Sequence, residues 1–155
     1  MTARFIIFVL LIITKITYAQ AKKNCLIEKS ITKNKMETQK NIFGKDLEKA
    51  SDNPKTGFYR DGFCNTGTND QGTHTVAAVM TSAFLEFSKS RGNDLISAYP
   101  ASNFPGLKPG DVWCLCALRW KEAFENGVAP DVILEATNFK TLEFIKFESL
   151  LAHKK

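Results

Sequence analysis

The chain has only two histidines, His74 and His153, and no His-Glu-x-x-His pair, which excludes the common zinc-hydrolase helix. It has no glycine-rich phosphate loop and no Gly-x-Ser-x-Gly elbow, so the usual nucleotide-binding and serine-hydrolase signatures are absent too. It has no internal repeat, which removes solenoids and propellers. After residue 14 it has no apolar run long enough to cross about 30 Å of hydrocarbon. What remains is a chain of 155 residues, 44% apolar and with 12 phenylalanines, sized for one hydrophobic core.

The first residues read as a targeting segment. A short basic start, Met1–Arg4, precedes the apolar run "FIIFVLLIIT", and Lys15 ends it. Small residues at Thr17, Ala19 and Ala21 predict a signal peptide over 1–19, cleaved after Ala19 or Ala21. The run is too short for a membrane anchor. Cys25 lacks the small-residue box that precedes a lipid-modified cysteine. The expected location is secreted, or the lumen of the secretory pathway or periplasm, with no membrane contact after cleavage.

The net charge of +5 is unevenly placed. Of the 21 Lys and Arg, eight fall within residues 1–40, opposed there only by Glu28 and Glu37. Residues 41–155 keep 13 basic side chains against 14 acidic ones. A nucleic-acid binder needs its basic face on the folded part, so no nucleic-acid partner is expected. Residues 22–40, rich in Lys, Asn and Thr, predict a flexible linker, and 41–153 a single globular domain.

Inside that domain, 41–74 is dense in Gly, Asn, Asp and Pro and reads as turns, with sites at Asn53-Pro54 and Thr56-Gly57. "HTVAAVM" (74–80) predicts a buried strand. Thr81 is a fitting N-cap for a helix over "SAFLEFSKSRG", with Gly92 at its end. Pro100, Pro105 and Pro109 keep the next stretch irregular. Asp111 then reads as an N-cap and Gly127 as a stop. Between them Trp113, Cys116, Ala117, Trp120, Ala123 and Phe124 recur at helical spacing. Val132–Ala136 reads as a strand, "LEFIKF" alternates like one, and "ESLLAHKK" closes as a helix.

The cysteines of "DVWCLCALRW" pose the chemical question. On a helix starting at Asp111, Cys116 faces the core and Cys114 sits in the first turn, about 200° away. A helix-start cysteine is favoured as thiolate, which makes Cys114 a candidate nucleophile with His74 as its base. On a strand the two sulfurs would share a face instead, and only then could both grip one metal. In an exported protein a structural disulfide is the commoner fate. Four cysteines allow three pairings; Cys64 with Cys116 or Cys114 is favoured, leaving Cys25 free or bonded to another molecule. The set Cys64, His74, Cys114 and Cys116 has zinc-ligand chemistry, but its spacing fits no common two-pair pattern. No metal or cofactor is expected.

"GFYRDG" (57–62) supplies Arg60 and Asp61. An arginine fork suits a carboxylate or phosphate, and an internal brace is the alternative. Arg119 is a third candidate for ligand contact.

In order along the chain, "TGFYRDGFCNTG", "HTV", "FLEFSKSRGNDL", "FPGLKPGDVWCLCALRWKEA" and "LEAT" resemble the family known as domain of unknown function 2237. The resemblance spans about Asn41 to His153 and implies one compact domain, without an activity to carry over. Arg60, Asp61, Cys64, His74, Cys114, Cys116 and Arg119 fall on its motif positions. The family pattern often has Cys where this chain has Ala50, Phe63 and Ala77, and His where it has Asn138. A multi-cysteine site would be incomplete here, and fewer thiols suit an oxidising route.

These readings predict an α+β fold: a small mixed β-sheet, two to three helices and long loops. They predict a binding protein for a small anionic ligand or a protein partner. Its surface would be the Gly57–His74 loop and the Gly110–Arg119 helix start. The alternative is a cysteine-based enzyme, or a redox or metal site, using Cys114 with Cys64 and His74.

Overall fold

The computed structural model describes Gln20 and residues 38–155. The expected signal peptide, Cys25 and most of the expected linker lie outside the described residues. The order is β1 (His74–Val79), α1 (Ser82–Ser90), β2 (Val112–Cys116), α2 (Ala117–Glu125) and α3 (Phe147–Leu151), with short 3₁₀ turns between. This is a small α+β fold with long loops.

β1 and β2 form an antiparallel ribbon, pairing Val79 with Val112, Ala78 with Trp113, Ala77 with Cys114, Val76 with Leu115 and His74 with Cys116. Thr75 is the extra residue where the register shifts. Alternation sends Val76, Ala78, Trp113 and Leu115 into the main core with Phe84, Trp120, Leu134 and Leu150. Ala77 and Cys114 go to the other face, into a small second core with Cys64 and Ala136.

The helix expected from Asp111 is corrected. β2 occupies Val112–Cys116, and α2 begins only at Ala117. "VWCLC" is buried along most of its length, and a short apolar run of that kind carries no period that separates helix from strand. Ala117, Trp120 and Ala123 do form the buried stripe of α2, and Trp120 Nε1 donates to the Pro130 carbonyl at 3.0 Å. Phe124 is instead exposed, stacked on Trp120 at 5.5 Å.

α1 forms as the sequence predicts, with the Thr81 hydroxyl accepting from Phe84 N–H at 3.1 Å and Gly92 turning the chain at φ +79°. The expected strand at Val132–Ala136 is reduced to a bridge from Val132 to Ala78, followed by a 3₁₀ turn over Leu134–Ala136. "LEFIKF" is not a strand either. Asn138 caps Lys140 N–H and starts a 3₁₀ turn over Phe139–Glu143, and the buried Thr141 hydroxyl bonds to the Thr75 carbonyl. Gln39, placed by its sequence in the linker, joins the fold: its amide pairs with both backbone groups of Thr66.

Candidate functional site

His74 opens β1 and Cys116 ends β2, so antiparallel pairing sets them directly opposite on one face. The Cys116 sulfur lies 3.1 Å from His74 Nε2. On the other side of the ring, Nδ1 lies 2.6 Å from Asp70 Oδ1. Asp70 is buried and held in place: its Oδ2 accepts from His74 N–H at 2.8 Å and from the Thr66 hydroxyl at 2.9 Å. Asp70, His74 and Cys116 thus form one hydrogen-bonded chain.

The electrostatics follow from these contacts. The hydrogen bond to Cys116 contributes most to raising His74 to about 9; burial opposes it, and Asp70 adds to the rise through its hydrogen bond and its charge. Burial pushes Asp70 up, but its bonds from His74 and Thr66 outweigh this and hold it below the usual carboxylate value. His74 is therefore an imidazolium at neutral pH.

The loop from Asp70 to Thr73 closes over the pair. Thr73 sits at φ +49°, and its carbonyl accepts from Ala117 N–H at 3.0 Å, tying the loop to the start of α2. A Cβ on Gly72 would lie 2.6 Å from His74 Cε1 and 2.9 Å from the Cys116 sulfur. Gly72→Ala is expected to push the sulfur and ring apart and slow alkylation of Cys116 by roughly tenfold, because thiolate reactivity depends on its immediate partner. The rate of iodoacetamide labelling, read beside the melting curve, checks this.

Cys64 and Cys114 are joined as a disulfide with Cα atoms 5.3 Å apart. The expectation of a reactive thiol at Cys114 is therefore corrected. Its sulfur is in the bridge, and its N–H donates to the Thr56 hydroxyl at 2.7 Å. Among the described residues the free thiol is that of Cys116, and Cys116, not Cys114, stands at the N-cap position of a helix. Of the two pairings left open for Cys64, the structure has the one with Cys114.

Beside this chain lies a cleft of about 400 Å³, lined by Phe58, Arg60, His74, Tyr99, Trp113 and Cys114 among others; the hydrogen-bonded chain meets it through His74, and Cys116 is not one of the lining residues. The Phe58 ring stacks on His74 at 6.0 Å. Arg60, at φ +54°, lays its guanidinium 4.6 Å from the centre of the Trp113 ring. Asp61 is elsewhere in function: it accepts from Phe63 N–H and from the Asn65 amide, bracing its own loop. Arg119 bonds to Glu122 at 3.2 Å, which also holds Arg91, on the exposed side of α2. The three candidate ligand residues thus do not converge; only Arg60 lines the cleft. Among the described residues no cluster of three or more His, Cys, Asp and Glu is arranged to hold a metal.

Residues 40–154 match the model of a family described as "uncharacterized protein conserved in bacteria", domain of unknown function 2237. The chain belongs to that family. No curated protein matches it. Two of the positions where the family pattern often has cysteine, Ala50 and Ala77, pack against the Cys64–Cys114 bridge in this member. Asn138, where the resemblance implies a histidine, donates to the Cys64 carbonyl at 3.1 Å. Three of this chain's four departures therefore gather around one disulfide.

Thr66 and Gly72 stand outside the site residues the sequence singled out; "NDQGTHT" sets Asp70 near His74 in sequence but gives it no role. An Asp four residues before a His in a glycine-containing loop was the available signal for Asp70. The partnership of His74 with Cys116 had none, being made across 42 residues by strand register.

Proposed function

We propose that this protein is a cysteine-dependent enzyme of the acyl-transfer class. Cys116 is its nucleophile, His74 its acid and base, and Asp70 the group that orients His74. The observation that carries this reading is the chain of contacts from Asp70 through both ring nitrogens of His74 to the Cys116 sulfur. A nucleophile bonded to a base that a third group orients is the recurring arrangement for covalent catalysis. The sulfur would attack an acyl carbon to form a thioester. His74 would pass a proton to the departing group, and water would then release the acid and restore the thiol.

A second reading, a binding protein for a small anionic ligand or partner, is favoured by Arg60 in the cleft. It would use the Gly57–His74 loop and the strand-to-helix stretch Gly110–Arg119. Residues 1–19 as a cleaved signal and a secreted or luminal setting belong to the same proposal. Their support is the leader pattern and the disulfide. Among the described residues no helix is long and apolar enough to cross a membrane.

The test is alkylation with iodoacetamide without reductant, followed by peptide mapping. Cys116 is expected to react faster at pH 7 than free cysteine, and His74→Gln to slow it by about tenfold or more. Equal rates in the two proteins, or labelling no faster than free cysteine, would sink the enzyme reading.

A further inference from the structure

Three arginines lie in the described part of the chain, and two of them, Arg91 and Arg119, grip Glu122. Arg60 differs. Among the described residues no carboxylate forms an ion pair with it. Its guanidinium rests instead against the face of Trp113, in the wall of the cleft that also contains His74. A planar fork held flat against an indole is pre-oriented, so less freedom is lost when it takes a two-toothed anion. Phe58, Tyr99 and Phe104 add apolar surface to the same cleft. Phe58 and Tyr99 are among the protein's exposed large hydrophobic residues, which the cleft explains.

The remaining charged wall residue limits the ligand's charge. Asp94 accepts from Ile96 and Ser97 N–H and from the Ser97 hydroxyl, and sits 3.2 Å from the Lys89 ammonium. Its oxygens are engaged, so it offers nothing to a ligand, but its charge disfavours a dianion such as phosphate.

Resting on the cysteine-enzyme reading, we propose that the substrate is a carboxylate-bearing acyl compound with an apolar body, and that Arg60, laid on Trp113, is the residue that selects it. In the step itself the Cys116 sulfur bonds to the acyl carbon and the bond to the leaving group breaks. Arg60 holds the distal carboxylate and takes no part in the exchange.

Two ester probes test this: mono-4-nitrophenyl glutarate, which carries the carboxylate, and the neutral 4-nitrophenyl butyrate. Both release 4-nitrophenolate as the thioester forms. The wild-type protein should prefer the anionic ester in kcat/KM. Arg60→Met should lower that preference about 10- to 100-fold, the range for a charge-assisted pair, and Arg60→Lys should fall between. A preference that stays within about twofold in both variants, with unchanged melting curves, overturns the proposal. Isothermal titration with benzoate and with inorganic phosphate separates this failure from failure of the enzyme reading. If Cys116 proves unreactive but benzoate binding is lost in Arg60→Met, the carboxylate site stands alone. Absence of benzoate binding, or tighter binding of phosphate, overturns it.

Discussion

Cys116→Ser should lower turnover of 4-nitrophenyl butyrate by at least about 10³-fold, because a hydroxyl is a far weaker nucleophile than a thiolate and the thioester cannot form without the sulfur. Asp70→Asn is the more informative partner to it. The amide keeps the shape but leaves the His74 ring without its charged acceptor, and a loss of about 10³- to 10⁴-fold is expected when the orienting carboxylate is removed. The two losses should not multiply in the double variant, since both act through one hydrogen-bonded chain.

The pH profile supplies a check that a merely structural role would not move. His74 is raised to about 9, first by Cys116 and then by Asp70. A raised value means that the folded state holds a proton the unfolded chain would release. The stabilisation is therefore complete below the ordinary histidine value of about 6.5 and is lost as pH climbs through about 9. Activity that needs the imidazolium should fall on the same alkaline limb. In Asp70→Asn that limb should move to lower pH, because one of the groups that raises His74 is gone. A limb that stays put would separate Asp70 from the chemistry.

The second large effect is on stability. The Cys64–Cys114 bridge closes a loop with a sequence separation of 50 residues. Limiting the unfolded chain over that length corresponds to about 4 kcal/mol. Cys64→Ala/Cys114→Ala should lower the unfolding free energy by roughly that amount and the melting temperature by about 15 °C. Urea titration measures the first and calorimetry the second. Reduction of the wild-type bridge should reproduce both. A loss under about 1 kcal/mol would mean that the small core of Ala77, Ala136 and Ala50 holds the loop without the bond.

Much of the frame was legible along the chain. Thr81 and Gly92 bracket α1 because a cap and a left-handed stop act within one turn. β1 was legible because "VAAV" is one short apolar run, and Thr75–Ala78 are buried in the strand. β2 was not, because "VWCLC" continues without a break into "ALRWKEAFE", and Cys116 lies three residues after Trp113 and four before Trp120. That spacing suits a helix until a partner strand is present to claim it. The error carried into the chemistry: a helix drawn from Asp111 puts the reactive thiol at Cys114, whereas pairing with β1 puts Cys114 in a bridge and Cys116 beside His74.

Local sequence therefore determined what short-range forces can determine: the caps, the turns and the uneven placing of the charge. Only the tertiary structure decided which sulfur is free, which carboxylate orients His74 and which arginine faces the cleft. Those choices depend on strand register, and a shift of one residue would turn Cys116 to the opposite face. Register is set by burying Val76, Ala78, Trp113 and Leu115 together, contacts between segments far apart in sequence.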